Sequence, residues 1–283
     1  MTKIAAIQMA SGPKVSANLI EVSRQISSAV NAGAKLIVLP ENFAIMGMQD
    51  ADQIKVAEDE GIGLIQDFLS DQAKNNKIWI VAGTIPINLS SDNPEYEKKV
   101  YAACLVYNEK GERVSRYDKI HLFDVHLELT NETYNESETI EAGNKAIVVE
   151  TPFGKIGIAI CFDLRFPELF RQLVLFGAEI IVIPAAFTAS TGKAHWEVLL
   201  RARAIENLCY VIASAQGGYH VNGRETYGDS MIVDPWGTVL DCLPQGSGYV
   251  AADIDIDNIN IIRKNFPVLK NRKISCTLPK EQT

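Results

Sequence analysis

The chain has 283 residues, 47% hydrophobic and 22% charged, enough apolar material to bury a sizeable core and too much for a disordered segment. Its 27 Lys and Arg against 35 Asp and Glu give a net charge of −8, which argues against general nucleic-acid or anionic-membrane binding. The 19 Gly and 11 Pro follow no period, and 5 Cys are few for this length, so collagen-like, low-complexity and disulfide-scaffold chains are excluded.

Residues 4–9 form a short apolar run that reads as a strand. Residues 18–33 carry Leu19, Val22, Ile26, Ala29 and Val30 at helical spacing and stop at Gly33, a C-terminal cap. The continuous apolar run 35–40 predicts a strand buried on both faces. A second helix over 63–75 is followed by a strand over 78–84. Residues 101–107 and 113–117, joined by Asn108-Glu109-Lys110-Gly111, read as a hairpin. A strand over 155–160 runs into Cys161, Pro167 opens a helix reaching 176, and His195 opens a later one. Alternation of strands and helices makes this an α/β chain.

The second half repeats the first. Residues 32–43 match residues 176–187 at an offset of 144, with six of twelve positions identical. Further echoes link Lys3-Ile4-Ala5 to Lys155-Ile156-Gly157, residues 79–82 to 211–214, and 105–111 to 231–237. No Pro-, Ser- or Gly-rich linker divides the halves, so they read as one domain with internal pseudo-symmetry. Two facing sheets with helices outside would bury both sets of apolar strands. No run approaches the ~18 apolar residues of a membrane span, and the N-terminus has no signal-peptide core. Cysteines 104, 161, 209, 242 and 276 include no CxxC pair, which fits free thiols in a reducing cytoplasm.

Two places stand out chemically. Glu41 follows a buried strand where the repeat carries Ala185, and a carboxylate there is costly without a role or a partner. Cys161 lies at a strand-to-helix junction, where α/β folds project nucleophiles, although most cysteines are small buried hydrophobes. A thiol nucleophile needs a base or a cation, because at pH 7 only a few per cent is thiolate. None of the four histidines sits in a Cys–His protease context. Lys119 enters an apolar patch and reads either as a helping cation or as a snorkelling surface lysine.

Leu39-Pro40-Glu41-Asn42, Tyr117-Asp118-Lys119-Ile120-His121-Leu122-Phe123 and Cys161-Phe162-Asp163-Leu164-Arg165-Phe166-Pro167-Glu168 resemble the three signature segments of the nitrilase (carbon–nitrogen hydrolase) superfamily, in the family's order. The resemblance extends to Ala194-His195-Trp196-Glu197 and Asp234-Pro235-Trp236-Gly237. It implies an α/β four-layer α-β-β-α sandwich with pseudo-two-fold symmetry over residues 1–273, followed by a tail over 274–283. It further implies a thiol-dependent amidase with Cys161 as nucleophile, Glu41 as general base and acid, Lys119 as oxyanion cation and Glu136 as an orienting carboxylate. The mechanism so implied takes the backbone N–H of Phe162 as the second oxyanion donor. The resemblance calls for no metal or organic cofactor, a small-molecule amide substrate, no nucleic acid or membrane partner, and assembly as a homodimer or larger homo-oligomer.

Within the superfamily the segments are most similar to the deaminated-glutathione amidase branch, with ω-amidases and N-carbamoyl amidohydrolases as neighbours and a non-catalytic interaction module as the remote alternative. Substrates bearing an α-keto acid make Arg165 the candidate carboxylate partner, unless it pairs with Glu168. Phe187 and Thr191 follow the second repeat's strand and are expected to line the pocket. Asp229 departs from the branch, which carries His there, and that bears on the hydrogen bonds or on the substrate end of the pocket. Glu197 and Arg201 are read as helix support. Arg203 receives no functional reading. Arg263, Lys264, Lys270, Arg272 and Lys273 are read as a solvated or subunit-facing surface.

Overall fold

Strands of the first half divide their side chains between two buried environments. In β1 (Thr2–Gln8), Ile4 and Ala6 face one core while Ala5 and Ile7 face another. β2 (Leu36–Val38) and β3 (Trp79–Val81) split the same way, with Leu36, Val38, Trp79 and Val81 on the first side and Ile37 and Ile80 on the second. This is the burial that a run of apolar residues without polar alternation encodes. The structure, a computed structural model, describes residues 1–89, 98–128 and 131–274.

β1, β2 and β3 are mutually parallel, and β4 (Ile85–Asn88), β5 (Val100–Tyr107) and β6 (Arg113–Asp118) extend the sheet through antiparallel pairs. The second sheet runs β7 (Val148–Thr151), β8 (Gly154–Ile158), β9 (Ile180–Ala185), β10 (Tyr210–Ala215), β11 (Ser230–Val233), β12 (Val239–Leu243). The last strand, β13 (Gly248–Ile254), returns to pair antiparallel with β1. In each sheet three parallel strands are flanked by an antiparallel strand on one side and an antiparallel pair on the other. That is the pseudo-symmetry the repeat predicts.

α1 (Val15–Asn31) and α2 (Leu64–Asn76) cover the outside of the first sheet, burying Leu19, Val22, Ile26, Ile65 and Leu69 against Ile37 and Ile80. α3 (Pro167–Leu175) and α4 (Ala189–Asn207) cover the second with Phe170, Leu173, Trp196 and Leu200. The inner faces of the two sheets share one core, giving the four layers α-β-β-α. Fully burying an aliphatic or aromatic side chain of this kind is worth about 1.5–3 kcal/mol. Among the described residues no helix is long and apolar enough to cross a membrane.

Three expectations are corrected. The strand expected over 78–84 breaks at Gly83, whose φ of 54° turns the chain out of β3 before β4 begins. His195 does not open its helix, because α4 begins at Ala189. Arg263, in α5 (Ile256–Asn265), is not solvated: its Nε donates to Leu208 O (3.0 Å) and its Nη2 to Ala178 O (2.8 Å). Those carbonyls lie just beyond helix ends, where the chain leaves acceptors unpaired. Cys104, Cys161, Cys209 and Cys242 are free thiols, and Cys276 lies outside the described residues.

Candidate active site

β2 delivers Glu41. Leu39 and Pro40 carry the chain beyond the strand under full burial, and Glu41 follows at 4% exposure. Gly83 makes the approach possible: a Cβ there would collide with the Pro40 carbonyl. The carboxylate is held at both oxygens. Oε1 accepts from Lys119 Nζ at 2.8 Å, and Oε2 accepts from the Ala186 N–H at 2.7 Å. Ala186 follows β9, the repeat's counterpart of β2, so one half of the chain holds the carboxylate of the other.

β6 delivers Lys119. The strand ends at Asp118, the Lys119 N–H donates to Ala102 O (3.1 Å), and Gly143 N–H donates to Lys119 O (2.8 Å). The side chain is 2% exposed, so the snorkelling reading fails. Glu136 begins the short turn Glu136–Glu138 after the hairpin Asp124–Leu127 with Glu132–Asn135. Both its oxygens lie 2.8 Å from Lys119 Nζ, and Oε2 also accepts from the Phe123 N–H at 2.6 Å. The ammonium therefore lies between two carboxylates.

Cys161 opens the turn Cys161–Arg165 after β8, with φ at 44°. A non-glycine residue holds this conformation only when its surroundings over-determine it. Asp163 supplies that constraint. It is fully buried and accepts from the Ile160 N–H (2.8 Å), Tyr117 Oη (2.7 Å) and the His121 N–H (3.1 Å), with His121 Nδ1 at 2.6 Å. Arg203 adds a clamp, donating from Nε (3.1 Å) and Nη2 (2.7 Å) to Leu164 O.

The charges act on one another. Burial alone would lower the Lys119 pKa, but the Glu136 and Glu41 carboxylates outweigh it and hold the ammonium charged well above the usual lysine value. Burial raises Glu136, with Lys119 opposing and Glu41 adding. The Cys161 thiol is pushed well up, first by burial and then by Glu41, against the pull of Lys119 and the Ala186 N–H. In the resting site it is a protonated thiol beside a carboxylate.

Cys161, Glu41, Lys119 and Glu136 line one cavity, and Phe162, Arg165, Phe187 and Thr191 line it too. Arg165 packs over the rings of Phe187 (5.0 Å to the centroid) and Phe162 (5.8 Å), with its Nη1 3.2 Å from His195 Nδ1. Its possible ion pair with Glu168 is not among those formed by the described residues. Thr191 Oγ1 lies 2.6 Å from Thr188 Oγ1. Asp229 does not line the cavity. Its N–H donates to Pro244 O (2.9 Å), and its side chain lies 3.7 Å from Cys242 Sγ and holds the Tyr227 hydroxyl. The His-to-Asp departure therefore falls outside the pocket wall.

Sequence reasoning missed Asp163, Arg203 and Arg224. Asp163 stands two residues after Cys161, and a buried acid in a turn that must be fixed was its only signal. Arg203 sits on a helix face where spacing gives it the same look as Arg201, which forms its expected pair with Glu197 at 3.1 Å. Arg224 lies in the connection between short strands and lines the same cavity.

The carbon-nitrogen hydrolase family model matches residues 3–264. The chain is 42% identical over 275 residues to a deaminated glutathione amidase of Synechocystis, covering 95% of this chain and 97% of that one. It is 37% identical over 270 residues to the deaminated glutathione amidase of Homo sapiens, covering 95% and 82%. Its fold superposes on Saccharomyces cerevisiae Nit3, a member of branch 10 of the nitrilase superfamily, with a TM-score of 0.84 at 32% identity, covering 96% and 97% of the two chains. A family match over nearly the whole chain, on a fold with the same layers, establishes that this chain belongs to the carbon–nitrogen hydrolase family.

Proposed function

We propose that this carbon–nitrogen hydrolase is an amidase that cleaves a small carboxylate-bearing amide through a thioester on Cys161, with deaminated glutathione as substrate and 2-oxoglutarate and cysteinylglycine as products. The observation that carries the reading is the position of Lys119 Nζ, 2.8 Å from Glu41 and from Glu136 in the cavity that also holds Cys161. A fixed cation beside a thiol and a carboxylate has the parts needed for acyl transfer.

The raised thiol supports one order of events. Cys161 holds its proton at neutral pH, so the nucleophile forms only as Glu41 removes that proton during attack. Sγ bonds to the amide carbon, and the carbonyl electron pair moves to oxygen. That oxyanion is stabilised by Lys119 Nζ and the Phe162 N–H. Collapse breaks the carbon–nitrogen bond, and the departing amine takes the proton from Glu41. Glu41 then deprotonates a water, which attacks the thioester. The thiolate leaves, recovers the proton, and the carboxylate product is released. Glu136 holds Lys119 in place throughout.

Arg165 is the carboxylate partner in this reading. Its guanidinium lies in the cavity, between two aromatic rings and without a carboxylate of its own among the described residues. The names of the Synechocystis and human relatives support the choice of substrate.

Deaminated glutathione and 2-oxoglutaramate both release 2-oxoglutarate, so one coupled assay reads both on the same scale. A preference for deaminated glutathione is expected. A preference for 2-oxoglutaramate would move the chain to ω-amidase activity, and silence on both substrates would overturn the reading.

A further inference from the structure

The cavity holds three cations, and only one of them is neutralised by the protein. Lys119 lies between Glu41 and Glu136. Arg165 and Arg224 line the same space, and neither forms an ion pair with a carboxylate of the described residues, Asp50 on the cavity wall included. Arg224 is further short of partners. Its Nη2 donates to Ala186 O (3.1 Å), and its guanidinium packs over the Tyr134 ring (5.1 Å to the centroid). Its Nε is buried and has no hydrogen-bond partner among the described residues. A buried charged donor left unpaired is costly unless something outside the chain completes it.

The two arginines come from different walls. Arg165 follows Cys161 and stacks on Phe162 and Phe187, whereas Arg224 comes from the connection after Gly217–Tyr219 and stacks on Tyr134. Two separated guanidiniums suit two separated anionic groups on one ligand. We propose that the substrate is a dianion and that Arg224 is a specificity-determining residue, binding a second carboxylate remote from the one at Arg165. The proposal rests on the amidase reading above and deepens it. Deaminated glutathione carries an α-keto acid at one end and a glycyl carboxylate at the other, whereas 2-oxoglutaramate carries a single carboxylate. Arg224 is then the side chain that separates the two substrates.

The test compares deaminated glutathione with the same molecule carrying a terminal carboxamide in place of the glycyl carboxylate. Binding is read by calorimetry on Cys161→Ser, and kcat/KM on the enzyme with Cys161 intact. The carboxylate form is expected to bind about tenfold more tightly than the carboxamide, and Arg224→Gln removes that difference. Equal binding of the two ligands by the chain with Arg224 intact overturns the proposal and needs no Arg224 variant to fold. An Arg224→Gln variant that weakens both ligands alike, or neither, overturns it as well. A carboxylate preference in binding that Arg224→Gln removes, without any release of 2-oxoglutarate, would sustain the Arg224 assignment and overturn the substrate reading alone.

Discussion

Lys119 Nζ faces three carboxylate oxygens at 2.8 Å from a position that is almost fully buried. Removing the ammonium takes away the proposed oxyanion donor and leaves Glu41 and Glu136 facing each other without their shared counter-charge. Lys119→Ala should therefore lower kcat by about 10²–10³ and destabilise the fold by about 3–5 kcal/mol. Single-turnover kinetics and urea unfolding read the two effects separately. Glu41 was legible because the repeat placed an alanine at the matching position. Lys119 and Glu136 were not legible from chemistry alone: one looks like any lysine beside apolar residues, and the other lies in a polar loop. Lys119 meets Glu41 across 78 residues of chain and Glu136 across 17, and no local pattern encodes either meeting.

At the scale of elements, the turn after β8 shows how the fold supports chemistry. Asp163 gathers donors from Ile160, Tyr117 and His121 around the left-handed Cys161, so β6, the chain after it and the Cys161 turn share one carboxylate. Asp163→Asn replaces an acceptor with a group half donor, and thermal unfolding and kcat should both fall. Gly33 and Gly177, 144 residues apart, each hold φ at 97° just beyond α1 and α3. Gly33→Ala should cost roughly 1 kcal/mol in chemical denaturation and leave activity intact. Gly83→Ala differs, because the new Cβ must displace the Pro40 carbonyl and with it Glu41. Both stability and kcat should drop. The helices and the parallel strands were readable from periodicity and continuous apolar runs. The break at Gly83 was not, since the residues around it are as apolar as the strand itself.

Across the whole molecule, several buried acids hold their protons far longer than they would in the unfolded chain. Burial lifts Cys209 and Tyr107 to about 12, and it raises Cys104, Cys161 and Tyr117 in the same direction. Unfolded thiols release protons near pH 9 and phenols near pH 10, so between those values and about 12 the unfolded state binds fewer protons than the native one. The stability these groups contribute is intact below pH 9 and declines above it, by up to roughly 1.4 kcal/mol per group per pH unit. Lys119, whose charged form is favoured by the fold, contributes with the same sign. Thermal unfolding from pH 7 to 11 should show Tm falling steadily above 9, and a flat profile would contradict this burial pattern. The four layers and their pseudo-symmetry were legible because a duplicated apolar pattern duplicates its packing. Arg203 was left without a reading and Arg263 was read as a solvated or subunit-facing surface, because their value lies in which carbonyls they meet, Leu164 for one and Leu208 and Ala178 for the other. Those meetings exist only once the layers are stacked.

The central claim is that Cys161 forms the bond to substrate. Hydrolysis of deaminated glutathione by the native chain and by Cys161→Ala, with folding of the variant checked by circular dichroism, tests it most directly. Release of 2-oxoglutarate by the native chain and none above background by the folded variant is the result that follows from the site. Turnover by Cys161→Ala at a rate near that of the native chain would contradict it.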